Sequence, residues 1–243
     1  MSDPYAHHPE LRGKIRPAAE NFLRNTPIEE LDQMAQDMGA PSGWRLPDDV
    51  REAERKALLK GRAGQDLWVF AYGSLMWDPG LFYTQVRRAF LPGYARRFTM
   101  IENIGGRGTR DQPGTMATLD HGPGCEGLVF CIAADQVEVE TFVLWQRERV
   151  AEGYLSVFLP AEVEGGTVQA LCFVSDHNAE MIQPDLTREQ IVHHMATGEG
   201  ILGTSLDYVR NLKTQLDLLG ISDAHLSGLL DEAETLSARL KGG

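Results

Sequence analysis

Apolar and polar positions change their spacing twice along the chain, which divides it into three zones. In residues 1–64 the chain is polar, and apolar side chains recur every three or four residues. This spacing is typical of amphipathic helices and predicts two of them, over residues 28–38 and 48–60. Thr26 and Glu29 have the Thr-x-x-Glu spacing of a capping box ahead of the first helix.

The second zone, residues 66–174, predicts strands, because its apolar runs are short and are bounded by turn residues. The aromatic run Leu67–Tyr72 predicts a buried strand that ends at Gly73. Further strands are expected at Ala89–Leu91, Ala95–Ile101, Met116–Leu119, Gly127–Ile132, Leu155–Leu159 and Gln169–Val174. One helix, Val137–Glu148, interrupts them, with Asp135 and Glu138 as its capping box. Many strands with few helices between them favour an antiparallel or mixed sheet that can curl into a barrel.

The third zone is helical again and begins at Thr187, which forms another capping box with Gln190. Leucines lie on one face of residues 206–219, and Gly220 ends that helix. A last helix follows with its own leucine stripe. The whole pattern predicts an α+β protein.

Composition excludes several functions. The 243 residues are 42% hydrophobic and 24% charged, as in ordinary globular proteins. Lys and Arg number 23 against 35 Asp and Glu, so the net charge is −12. Because nucleic acids and anionic membranes attract basic surfaces, neither is expected as a partner. No apolar signal or membrane-spanning stretch is present in the sequence, and a cytoplasmic location is expected.

Three cysteines, Cys125, Cys131 and Cys172, are an odd number without Cys-x-x-Cys spacing. They predict buried apolar positions in a reducing compartment rather than disulfides or a zinc site. A catalytic thiol is the alternative interpretation. The adjacent His193 and His194 point about 100° apart on a helix and do not form a metal-chelating pair. No metal site is expected.

The first candidate for chemistry is the segment in which the strand enters a glycine turn. Its candidate binding residues are Val69, Phe70, Ala71, Tyr72, Gly73, Ser74 and Leu75. Glycine lets a ligand approach the backbone, and successive N–H groups can hold an anion. The segment has neither the P-loop pattern nor the Gly-x-Ser-x-Gly pattern of a hydrolase nucleophile. The alternative is a strand that ends in a glycine turn without any ligand.

Glu148 is the second candidate, since it lies at the C-terminal end of a predicted helix. The negative end of the helix dipole disfavours a carboxylate and raises its pKa, which suits a general base. The alternative is a surface glutamate paired with Arg147 or Arg149.

Taken in order, several short motifs resemble the ChaC-type gamma-glutamylcyclotransferases over about residues 67–230. They are Tyr72-Gly73-Ser74-Leu75-x-Trp77, Gly93-x-x-Arg96-Arg97-Phe98, Arg107-Gly108-Thr109, Pro113-Gly114-x-x-x-Thr118-Leu119, the turn Gly124–Gly127, Arg147-Glu148, Gly153-Tyr154 and Gly200-x-x-Gly203-x-x-x-x-Tyr208-x-x-Asn211-Leu212. The family often has other residues where this chain has Thr99, Gly106 and Glu126, and these departures leave the choice among gamma-glutamyl substrates open.

The resemblance implies a small mixed β-barrel flanked by helices, without a cofactor. It places an N-terminal helical extension at residues 1–64 and the gamma-glutamylcyclotransferase-like domain at residues 65–243. The implied reaction converts glutathione to 5-oxoproline and Cys-Gly by attack of the α-amine on the γ-carbonyl. Glu148 would be the acid/base, and the loop, Arg97 and Tyr154 would contact the substrate.

Two alternatives to this function stay open. One is a cyclotransferase for other gamma-glutamyl amino acids or amines, and the other is a non-catalytic relative that binds small ligands. The leucine-rich C-terminal helices are compatible with either a monomer or a dimer.

Overall fold

The computed structural model describes residues 3–242. Its helices are α1 Phe22–Asn25, α2 Ile28–Asp37, α3 Asp48–Leu59, α4 Val137–Glu148, α5 Arg188–Thr197, α6 Ser205–Leu218 and α7 Ala224–Gly242. Its strands are β1 Leu67–Ala71, β2 Gln85–Leu91, β3 Tyr94–Glu102, β4 Gly114–His121, β5 Cys125–Ile132, β6 Tyr154–Val163, β7 Gly166–Ser175, β8 Glu199–Gly200 and β9 Gly203–Thr204. Every strand and helix expected from the apolar pattern is present, and the α+β prediction is confirmed.

The chain forms two compact units that each draw on separate stretches of sequence. The first unit comprises residues up to Asn25, Arg45–Arg96 and Leu119–Asp176; the second comprises Thr26–Trp44, Arg97–Thr118 and the chain from His177 on. These units do not separate at residue 64. The division into an extension and a domain at that residue stays a prediction.

A closed barrel of five strands, in the order β1-β5-β2-β6-β7, forms the centre of the first unit. Strand β1 pairs antiparallel with β5 and parallel with β7, so the predicted mixed barrel is confirmed. Apolar residues of β1 such as Val69 and Phe70 are fully buried, as are Leu128 and Val129 of β5. This burial explains why these strands read as continuous apolar runs rather than as alternating ones.

The hairpin of β6 and β7 is longer than the sequence predicts. Pairing runs from Tyr154 opposite Ser175 to Val163 opposite Gly166, around a two-residue turn. Gly165 in that turn has φ of +87°, a conformation that favours glycine. The outer end of the hairpin is mostly exposed and polar, so it lacks the apolar signal on which the prediction depended.

The second unit is mainly helical. Helices α6 and α7 contribute buried leucines, among them Leu212, Leu216 and Leu229. A short β8–β9 hairpin precedes α6. Strands β3 and β4 form a separate two-stranded sheet, and each of them has residues in both units.

Of the three predicted capping boxes, one is present at the start of its helix. The box at Thr187 is confirmed: its hydroxyl accepts the Gln190 N–H, and its own N–H donates to the Gln190 side chain. The boxes at Thr26 and Asp135 are wrong, because the N-cap residues of α2 and α4 are Pro27 and Gln136, each one residue after the predicted cap, and neither has a side-chain cap. The paired glutamates then stand at the second helical position rather than at the third, which the box requires.

A buried arginine ties α3 to α4 within the first unit. The Arg55 side chain is only 2% exposed. Its guanidinium donates to both oxygens of Glu52 at 2.8 and 2.9 Å, and to Thr141 Oγ1 of α4 at 2.9 Å. It also contacts the carbonyl and the carboxylate of Glu138. Helix α4 is therefore held by a residue from outside the predicted domain.

We expect Arg55→Met to lower the free energy of unfolding by about 2–4 kcal/mol, because it removes charge-assisted hydrogen bonds from a buried position. Lys56→Met is the matched control, since Lys56 pairs with the same Glu52 but is 67% exposed. That pair is expected to contribute less than about 1 kcal/mol. Urea unfolding of both variants measures the difference; equal losses would contradict the assigned role of Arg55.

Candidate active site

The loop after β1 is shaped by its own backbone. A short 3-10 turn, Ser74–Met76, follows Gly73, whose carbonyl accepts the Met76 N–H at 2.9 Å. Gly73 is buried and Ser74 is half-buried. Within the described residues, the main-chain N–H groups of Gly73 and Ser74 donate to no protein acceptor. The loop thus presents two adjacent donors of the kind that bind anionic or polarised oxygens.

Tyr72 and its neighbours anchor the start of this loop in the barrel. The Tyr72 hydroxyl donates to the carbonyl of Phe173 in β7 at 2.8 Å, and its ring stacks on Phe70. Its own carbonyl accepts a hydrogen bond from Arg96 Nε at 2.8 Å. Leu75 is buried as well. Since most of the predicted loop residues are packed inward, the groups they offer to a ligand are chiefly backbone groups.

Glu148 is the last residue of α4, as the sequence predicts. The helix is held by its apolar side: Leu144 is fully buried, and Trp145 packs edge-on against Phe173. The Glu148 side chain is only 14% exposed, and its Oε1 lies 2.8 Å from Arg147 Nε. It is therefore a paired glutamate, as the alternative interpretation proposed, but in a largely buried setting.

Burial raises the pKa of the Glu148 carboxyl, and Arg147 partly opposes that effect by its charge and hydrogen bond. Burial dominates because removing a carboxylate from water disfavours its charged form. The expected direction of the pKa change is confirmed, although desolvation rather than the helix dipole is its main cause.

Arg147 connects the two candidate regions. Its Nη2 donates to Ser74 Oγ at 2.7 Å, and its Nη1 donates to the main-chain carbonyl of Asp78. The same guanidinium pairs with Glu148. One planar cation, itself 9% exposed, therefore holds the loop and the carboxylate together. The sequence indicates Arg147 only as a candidate pairing partner for Glu148, because no local pattern shows a contact with Ser74, 73 residues away.

Tyr154 begins β6, a few residues after Glu148. Its carbonyl accepts a hydrogen bond from Arg149, whose guanidinium also binds Glu54 of α3 at 2.8 and 2.9 Å. Gly153 in this turn has φ of +148°. The turn after Glu148 is therefore fixed at both sides, and Tyr154 is half-buried beside it.

The two adjacent arginines of the Gly93–Phe98 motif lie in different surroundings. Arg97 is exposed, and its role in binding substrate stays a prediction. Arg96 is buried and donates to the carbonyls of Tyr72 and Glu126, at 2.8 and 2.7 Å. Successive side chains of a strand point to opposite faces, so these two neighbours have different environments. The sequence motif alone does not show which of the two is buried.

In the second unit, the motif around Arg107 has a structural explanation. The buried Glu102 carboxylate accepts main-chain N–H groups of Ile104, Gly106 and Arg107. The Arg107 guanidinium donates to the carbonyls of Leu202 and Thr204. These contacts hold the glycine-rich loop against the β8–β9 hairpin.

A groove of about 750 Å³ lies between α5 and α7 in the second unit, with His193, His194 and Arg239 among its lining residues. None of the residues predicted to bind substrate lines it. Burial raises the pKa of Cys131 and Cys172, and Cys125 is buried too, which disfavours a reactive thiol.

No group of three or more metal-ligating side chains is found in residues 3–242. Within the same residues, no helix combines the length and apolar character needed to cross a membrane.

The raised pKa of Glu148 predicts a pH-dependent stability difference. Folding raises the Glu148 pKa above its unfolded value, so the protonated form is favoured more in the folded than in the unfolded protein. This contribution to stability is full below about pH 4.3, the ordinary Glu pKa, and is lost as pH rises through the higher folded value. We therefore expect Glu148→Gln to be more stable than the unchanged protein at pH 7, with the difference vanishing near pH 4. Thermal unfolding across this range measures it; a constant difference would contradict the assignment.

Comparisons with known proteins identify the family of this chain. A family model described as ChaC-like protein matches residues 67–236. A protein of Escherichia coli strain K12 named glutathione-specific gamma-glutamylcyclotransferase is 34% identical over 192 residues, covering 78% of this chain and 83% of that protein. A human protein named glutathione-specific gamma-glutamylcyclotransferase 1 is 31% identical over 180 residues, covering 71% and 80%.

Among solved structures, a yeast gamma-glutamyl cyclotransferase specific to glutathione shares the fold. The TM-score is 0.63 at 20% identity, over 71% of this chain and 100% of that chain. The sequence match and the barrel together lead to one conclusion: the chain belongs to the ChaC-like protein family.

Proposed function

We propose that the protein is a gamma-glutamylcyclotransferase that converts glutathione to 5-oxoproline and Cys-Gly. The observation that carries this proposal is the placement of a largely buried glutamate, Glu148, beside an arginine that also holds the loop at Ser74. The family membership supports the reaction class, and the names of the two relatives support glutathione as the substrate.

The reaction needs a base because the α-amine of a gamma-glutamyl compound is mostly protonated near neutral pH. Glu148 accepts that proton, and its raised pKa brings it closer to the working pH, where a general base is most effective. The freed amine then attacks the γ-carbonyl carbon of the same molecule. Five-membered ring closure is intramolecular, so the protein contributes mainly by holding the substrate folded.

Collapse of the tetrahedral intermediate breaks the bond between the γ-carbonyl carbon and the cysteinyl nitrogen. The proton held by Glu148 passes to that departing nitrogen, which returns the carboxylate. The ring nitrogen loses its second proton as it becomes the lactam N–H, and that proton also ends on the released amine, so Cys-Gly leaves as its ammonium form. No water, electron or cofactor enters the balance. The unoccupied N–H donors of Gly73 and Ser74 are suited to hold a substrate carboxylate or the developing oxyanion.

Two further residues are proposed to bind the substrate. Tyr154, whose carbonyl is held by Arg149, and the exposed Arg97 are proposed to contact the substrate as well. Acidic charge and buried cysteines favour a cytoplasmic enzyme without a nucleic-acid partner.

Glu148→Gln is expected to reduce 5-oxoproline release from glutathione by at least about 100-fold, because an amide cannot accept the ammonium proton. Liquid chromatography of the products measures this loss, and circular dichroism checks the fold. Glu152→Gln is the matched control, since Glu152 is an exposed glutamate four residues further on. Full activity of the Glu148 variant would overturn the proposed role.

A substrate panel tests the choice of substrate separately. We expect kcat/KM for glutathione to exceed that for gamma-glutamyl-alanine, because only glutathione offers the cysteinyl-glycine portion for binding. Equal or higher values for gamma-glutamyl-alanine would favour the broader cyclotransferase. Binding of both compounds without any 5-oxoproline release would favour a non-catalytic relative.

A further inference from the structure

The segment before the matched region contacts the site through the residues that follow the loop. Residues 16–24 lie outside the family match, which begins at residue 67. The Arg16 N–H donates to the carbonyl of Trp77, and Arg24 donates to the carbonyl of Gly80 at 2.9 Å. Gly80 itself leaves no room for a side chain, because a Cβ there would lie 2.8 Å from Asn21. The segment is thus closely packed along residues 77–80.

Asp78 is the residue where these contacts meet the site. Its carboxylate accepts hydrogen bonds from Arg16 Nη1 and Asn21 Nδ2, both at 2.8 Å. Its main-chain carbonyl accepts the Arg147 guanidinium. The N-terminal segment therefore holds the Asp78 carboxylate, and the arginine that pairs with Glu148 holds the Asp78 carbonyl.

The Asp78 carboxylate can affect Glu148 through the choice of the cation that pairs with it. The Asp78 side chain is 18% exposed, so solvent satisfies it only in part. With Arg16 and Asn21 present, the carboxylate has a cation and an amide donor. Without them, Arg147 is the cation already bonded to the same residue, and the orphaned carboxylate would compete with Glu148 for it.

We propose that Arg16 and Asn21 are positioning residues, which occupy the Asp78 carboxylate and so leave Arg147 to hold Ser74 and Glu148. This inference rests on the proposed role of Glu148 as the base. It assigns a catalytic purpose to an N-terminal segment that lies outside the family match.

The charges that face Glu148 determine the expected effect. Arg147 lies beside it, whereas the Arg149 guanidinium is engaged by Glu54 and by the carbonyl of Tyr154. Drawing Arg147 away removes the interaction that lowers the Glu148 pKa, so that pKa rises further. The acidic limb of the kcat–pH profile then moves to higher pH.

The test variant is Arg16→Gln/Asn21→Ser, in which serine keeps an acceptor for the Arg24 N–H that Asn21 now receives. We expect kcat for glutathione to fall about tenfold and the acidic limb to move up by about one pH unit. Arg16→Gln alone is expected to move it by less. This single variant changes an arginine whose side chain is 51% exposed, so it remains informative if the double variant does not fold.

Two further variants separate positioning from general destabilisation. Arg12→Gln removes an exposed ion pair with Asp3 in the same segment and is expected to change neither kcat nor the profile. Adding Asp78→Asn to the double variant removes the competing charge, and the acidic limb is expected to return toward its original position. A purely structural role for Arg16 and Asn21 would not allow this recovery.

The outcomes distinguish the inference from the function on which it rests. If the unchanged protein is active, Glu148→Gln is inactive and the double variant keeps its profile, the inference is wrong and the function stands. If the unchanged protein releases no 5-oxoproline, the proposed function is wrong. The carboxyl titration of Glu148, followed by carbon NMR and assigned by its loss in Glu148→Gln, then decides the inference: an unmoved titration in the double variant overturns it.

Discussion

The guanidinium of Arg147 is the interaction on which the proposed site depends. It joins Ser74 of the loop, the backbone at Asp78 and the carboxylate of Glu148. These groups come from two separate stretches of the chain, and the planar cation can bind them at once because its donors point in fixed directions. A lysine would offer one compact charge without that geometry.

The position of Glu148 creates an opposition between stability and chemistry. A carboxylate that is largely removed from water is costly to ionise, yet the same desolvation makes it a better base near neutrality. Arg147 moderates this cost by lowering the pKa of the carboxyl, without eliminating the effect of burial. Arg147 can stabilise the Glu148 carboxylate in this way only if α4 and the loop hold both side chains in place.

Much of that support comes from residues ahead of the barrel. Arg55 binds Glu138 and Thr141 near the start of α4, Arg24 pairs with Glu140 between them, and Glu54 holds Arg149 just beyond the end of the helix. Arg24 and Glu140 form a nearly buried bidentate pair, at 2.7 and 3.0 Å. The N-terminal residues of the first unit thus help to hold α4 in place.

The sequence by itself determined the zones, the elements and the two candidate regions, because apolar periodicity and glycine turns are local signals. It predicted Glu148 at a helix end but attributed its raised pKa to the helix dipole. It did not show which of the adjacent Arg96 and Arg97 is buried. Only the tertiary structure decided that Arg147 joins the loop to Glu148 and that Asp78 links both to Arg16 and Asn21. Burial and hydrogen bonds between distant residues depend on how the strands and helices pack, which spacing along one chain does not encode.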